Sequence, residues 1–196
     1  MSDCGCGSSD AIRLERRALG WLLVINGAMF VGEASLGWWS ESTGLLADSL
    51  DMLADACVYG IAFFAVGRSP RLQSGAATAS GILQIALGLG VLVEVVRRFV
   101  QGSDPVSIVM MVTGGVALIA NLTCLAVLAR HRDEGAHMRA SWIFSTNDVI
   151  ANLGVILSGA LVLWLVSPLP DLIIGLLISL VVLRGGVRIL LETRLG

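Results

Sequence analysis

Six long apolar runs decide most of what this chain can become: about Leu19 to Trp39, Gly44 to Val66, Ala76 to Val96, Val106 to Ala129, Ala140 to Val166 and Leu172 to Leu191. A helix rises about 1.5 Å per residue, so a hydrocarbon core of roughly 30 Å takes about 20 residues to cross, and every run suffices. Barrel strands would alternate in stretches of about ten residues, whereas here Leu, Ala, Val and Ile occupy every face of each run. The expected fold is all-α, a polytopic membrane protein built as a bundle of six transmembrane helices. Turn-forming clusters separate the runs, at Glu41-Ser42-Thr43-Gly44, Gly67-Arg68-Ser69-Pro70, Gly102-Ser103-Asp104-Pro105, Arg130 to Arg139 and Ser167-Pro168-Leu169-Pro170-Asp171. Residues 1–18 read as a cytoplasmic N-terminal tail, 19–192 as the transmembrane domain and 193–196 as a short end. The first run leads into a second span with no small-residue cleavage site between them, so it reads as a retained helix.

Charge narrows the function classes. With 56% hydrophobic and 14% charged residues and a mean hydropathy of +0.84, neither a soluble domain nor a disordered chain fits. All 13 basic residues are arginine, and against 15 acids they leave a net charge of -2, which provides no surface for nucleic acid. Arg13, Arg16 and Arg17 precede the first run, Arg68 and Arg71 follow the second, Arg130, Arg132 and Arg139 follow the fourth, and Arg184, Arg188 and Arg194 end the chain. Arg97 and Arg98 fall on the other side, so the charge bias places both termini in the cytoplasm of a cell whose inner (plasma) membrane holds the protein. Cys57 and Cys124 lie within spans, and Cys4 and Cys6 in a reducing tail, so no disulfide framework is expected. The Cys4-Gly5-Cys6 pair has two readings, a soft-metal capture site lacking two ligands or a solvated tail.

Within the second run stand Asp48, Asp51 and Asp55. A carboxylate at mid-bilayer costs roughly 2.5 to 3.5 kcal/mol even on lenient insertion scales, so three in one helix require compensation. Spacings of three and four residues stack them on one helical face, where ionised neighbours repel. Binding protons or binding a cation relieves that repulsion, and a site capable of both can exchange one for the other. From a start near Thr43, Asp48 lies about 7 Å deep, Asp51 about 12 Å and Asp55 about 18 Å. Asp48 is thus either a ligand or an acid tolerated near the helix N-terminus. In the fifth run, Asp148 reaches the same depth as Asp55, with Asn152 one turn beyond and Ser145 about one turn before on the same face. Two carboxylates from one helix, one from another and an amide oxygen suit a divalent ion.

Other polar residues in the runs weigh less. Asn26, Gln84 and Asn121 read as hydrogen-bonding glue between helices. Glu33, near Trp38 and Trp39, reads either as interfacial or as part of an ion path. Glu94 beside Arg97 and Arg98 reads as a helix-end ion pair, and His131 and His137 as members of a solvated loop.

The stretches GLLADSLDMLADA, NDVIANLGVILSG and PDLIIGLLISLVVLRGGVRIL, with the Asn26 and Glu33 spacing of the first run, resemble the membrane domain of the cation diffusion facilitator family over nearly the whole chain. The resemblance implies six helices, cytoplasmic termini, exchange of zinc or a related divalent metal for protons, and a homodimer. Metal is then the transported substrate, with no permanently bound cofactor. The family's ligand pair on the second helix falls on Asp51 and Asp55, and the second member of its pair on the fifth falls on Asp148. The first member of that pair falls on Phe144, which cannot ligate, so Asn152, Ser145 or water has to serve as fourth ligand. The chain stops at Gly196, where the family's cytoplasmic C-terminal domain would begin, and the histidine-rich loop of many zinc members is absent. An all-oxygen site brings manganese or magnesium into range beside zinc. Two other readings stand: a degenerate member that senses metal or pairs with a complete relative, and an intramembrane lipid-headgroup transferase. The glycine after Asp51 and the Ala-Arg pair that mark such transferases are missing from the second run.

Overall fold

The computed structural model describes residues 6–65, 70–129 and 136–195, omitting the side chains of 6–16, 136–147 and 192–195 and a few others. Six helices follow in order: α1 (Cys6–Trp39), α2 (Thr43–Ala65), α3 (Pro70–Gln101), α4 (Ser107–Ala129), α5 (Ala136–Leu165) and α6 (Leu169–Leu195). Most outrun the apolar segments that announce them, because a helix continues through the interface after its side chains turn polar. α1, α4, α5 and α6 each hold a span long and apolar enough to cross a membrane, among the described residues. α2 has the length of a span, 23 residues, with three aspartates inside it.

The exterior is apolar, and many polar side chains share the interior with the apolar core. Val93, Phe99, Val100, Trp164 and Val166 are exposed, while Asn26, Glu33, Asp48, Asn121, Asp148 and Asn152 are buried. In water that distribution would be ruinous, but in lipid the exposed apolar face costs nothing and the polar groups must find one another inside. Trp38, Trp39 and Trp164, all exposed, ring one end of the bundle as an interfacial belt.

α2 is the hub and touches all five other helices, whereas α3, among the described residues, touches only α2 and α6. Glycines allow the closest crossings. A Cβ on Gly186 of α6 would stand 2.8 Å from Ile85 and 3.1 Å from the Gly81 carbonyl of α3, and one on Gly159 of α5 would stand 3.2 Å from the Ser107 carbonyl of α4. At the belt end, Val106 N donates to the Ser40 carbonyl at 3.0 Å and Asp104 N to Glu41 at 3.2 Å, which ties the start of α4 to the end of α1. Gly102, at φ 84°, closes α3 in the left-handed conformation.

Candidate functional site

The aspartates of α2 share one face as their spacing requires, and α5 delivers a fourth. Asp148, 3% exposed, lies within hydrogen-bonding reach of both Asp51 and Asp55. Carboxylates brought this close repel one another when all are ionised, so the arrangement favours positive charge among them. Asp55 is buried, whereas Asp51 keeps partial exposure. Among the described residues, no three Asp, Glu, His or Cys side chains are gathered into a metal-holding arrangement. A metal ion held by the trio would need its oxygens re-aimed.

Asn152, fully buried, donates its amide to the Asp148 carbonyl at 2.7 Å and leaves its own Oδ1 unpartnered, as is Asp148 Oδ2. An oxygen donor one turn from Asp148 is thus free. Phe144 and Ser145, the other positions weighed for a fourth ligand, lie outside the described side chains, as do Cys4, Cys6, His131 and His137.

Two readings change on contact with the structure. Glu33 does not face the surroundings of the bundle: it is fully buried with both oxygens unpartnered, and it approaches Asp48 and Asp51 closely enough for their charges to interact. The exposed face of α1 carries Val31, Trp38 and Trp39, which turns Glu33 toward α2. Nor is Asp48 an acid tolerated in a wet helix end, since it too is fully buried and unpartnered. Asn26 does reach across helices, weakly, to Cys124 Sγ at 3.8 Å, but the side chain of Asn121 finds no partner. Glu94 pairs with Arg97 at 2.5 Å and Arg98 at 2.7 Å, the expected helix-end ion pair.

Sequence reasoning passed over two residues. Tyr59, one turn beyond Asp55, donates its hydroxyl to Asp55 Oδ2 at 3.0 Å and holds that carboxyl in place. Its spacing of four was a usable clue. Asp171, in the first turn of α6, caps another helix: its carboxylate accepts from Ser42 Oγ at 2.6 Å, Thr43 N at 2.6 Å, Thr43 Oγ1 at 2.8 Å and Gly44 N at 3.0 Å. No local pattern announces a cap whose partners are 128 residues away.

Residues 21–195 match the profile of the cation efflux transmembrane domain. The chain is 30% identical over 192 residues to the zinc transporter ZitB of Escherichia coli, covering 91% of this chain and 61% of that protein. It is 28% identical over 176 residues to the zinc transporter ZitB of Yersinia pseudotuberculosis, covering 83% and 56%. A cadmium, cobalt and zinc/H(+)-K(+) antiporter of Bacillus subtilis is 22% identical over 181 residues, covering 85% and 58%. The chain thus spans between 56% and 61% of the length of these relatives.

Proposed function

The chain belongs to the cation efflux family, and on that premise we propose that it carries a divalent metal cation out of the cytoplasm in exchange for protons. The observation that carries this reading is the contact of Asp148 on α5 with Asp51 and Asp55 on α2, deep in the bundle. Three carboxyls in low dielectric cannot stay empty and fully ionised, so each proton that leaves must be replaced by positive charge. A cation entering from the cytoplasmic side displaces the shared protons, Asn152 Oδ1 and water fill out its oxygen shell, and returning protons expel it on the other side. Tyr59 holds Asp55 through the cycle. The reaction breaks no covalent bond, so the protein works as a carrier rather than an enzyme.

Zinc is the first ion to test, since similar proteins are named for it, and the all-oxygen donor set extends the test to manganese. The arginine distribution supports cytoplasmic termini, with the tryptophan-belted end then facing outward. Purified protein in proteoliposomes with a proton-sensitive dye tests the proposal. Asp148→Ala is expected to abolish metal-driven proton flux, and undiminished flux would remove the trio as the site. Metal binding without flux in the wild type would select the sensor reading instead.

A further inference from the structure

The exchange cycle leaves Glu33 and Asp48 without a task. Glu33 projects from α1 and Asp48 from α2; both are fully buried, and all four of their carboxyl oxygens lack a hydrogen-bond partner. Two structural explanations fail. The first four backbone N–H groups of α2 are already satisfied, Thr43 and Gly44 by Asp171, Leu45 by Ser42 Oγ and Leu46 by the Ser42 carbonyl, so Asp48 is not needed as a cap. The ion pairs among the described residues join Glu94 to Arg97 and Arg98 on α3, and neither Glu33 nor Asp48 has an arginine. α1 crosses α2 closely here, a Cβ on Gly37 standing 2.9 Å from Leu46 N, and two orphaned acids within reach of each other's charge beside that crossing are stabilised when a proton or a cation neutralises them.

Their position says which part. Asp48 precedes Asp51 by three residues, about 4.5 Å along α2 toward the belted end, and Glu33 sits in the last two turns of α1, which finishes at that end. The pair therefore stands between the trio and the outer face. We propose that Glu33 and Asp48 form a second cation station that receives the divalent ion from Asp51, Asp55 and Asp148 on its way out. Two carboxylates balance the charge of one divalent ion, and the short step between stations lets the ion move without crossing bare hydrocarbon. This deepens the exchange reading and rests on it.

The test separates the stations. Zn2+ binding to the purified full chain is counted by calorimetry for the wild type, Asp148→Asn, Glu33→Gln and the double variant, and Zn2+ transport is measured in proteoliposomes. Asp148→Asn is expected to lose transport yet still bind one ion, and adding Glu33→Gln removes that ion. Glu33→Gln alone retains binding at the trio and loads with an unchanged KM, while its maximal rate falls about tenfold or more, the split expected when release rather than capture is damaged. Asp148→Asn that binds no Zn2+, residual binding that survives the double substitution, or a wild-type rate in Glu33→Gln would each overturn the station. Should Glu33→Gln fail to fold, Asp48→Asn carries the same comparison. A wild type that binds Zn2+ but moves none defeats the exchange reading, and the binding counts then decide the station separately.

Discussion

Asp171 and Asp148 are both aspartates sealed from the surroundings, yet the first has its oxygens engaged by hydroxyls and backbone N–H groups and the second keeps Oδ2 free. Satisfaction, not burial, separates the structural acid from the one proposed to take up the cation. Asp171→Ala leaves Thr43 N and Gly44 N without acceptors at the start of α2, and it is expected to destabilise the bundle by about 2 to 4 kcal/mol in thermal or denaturant unfolding in detergent. Asp171→Asn retains an acceptor oxygen and should lose less. Tyr59→Phe tests the opposite kind of residue. It removes one O–H donor from Asp55 and keeps the ring packed, so folding should be nearly unchanged, while a loss of about 1.4 kcal/mol in holding that carboxyl lowers kcat/KM for metal about tenfold in transport assays.

At the scale of the helix, α2 could be read in advance as the functional element because three acids at spacings of three and four have no place in a helix that faces lipid. Asp148 could be matched to Asp55 from depth alone, since the rise per residue of a helix is fixed. Other features were not legible. The start of α1 and both ends of α3 extend well past their apolar runs, because hydropathy reports where the hydrocarbon is and not where the backbone stops hydrogen bonding. Which helices touch, and that Glu33 turns inward among neighbours Val31 and Trp38 that turn out, depends on crossings set by packing far along the chain. One such crossing is directly testable. A Cβ at Gly175 of α6 would lie 2.7 Å from the carbonyl carbon and Oγ1 of Thr43, a contact against backbone that cannot rotate away. Gly175→Ala is expected to push α6 off the start of α2, costing about 1 to 3 kcal/mol in unfolding measurements and weakening the Asp171 cap with it. Gly27→Ala, where nothing stands within 4 Å, is the control and should leave the unfolding transition in place.

Across the whole molecule, the acids enclosed by an apolar exterior make one system whose charge must balance at every step. Asp51, Asp55 and Asp148 meet on two helices that both touch α4 and α6, so re-aiming their oxygens couples four of the six helices. If metal and protons compete for those oxygens, acidifying the loading side must raise the apparent KM for metal, because a protonated carboxyl is a poor cation ligand and each proton bound removes a charge that holds the ion. Acidifying the release side must do the reverse and accelerate net transport, because returning protons clear the site. The two effects have opposite signs for the same chemical reason, which makes them a sharper test than any bulk pH optimum. In proteoliposomes with the two compartments buffered independently, lowering only the trans pH should speed metal movement, and lowering only the cis pH should slow it at sub-saturating metal and spare it at saturation. A rate indifferent to trans pH would show that metal leaves without protons taking its place, and the carboxyl contact between α2 and α5 would then need another purpose.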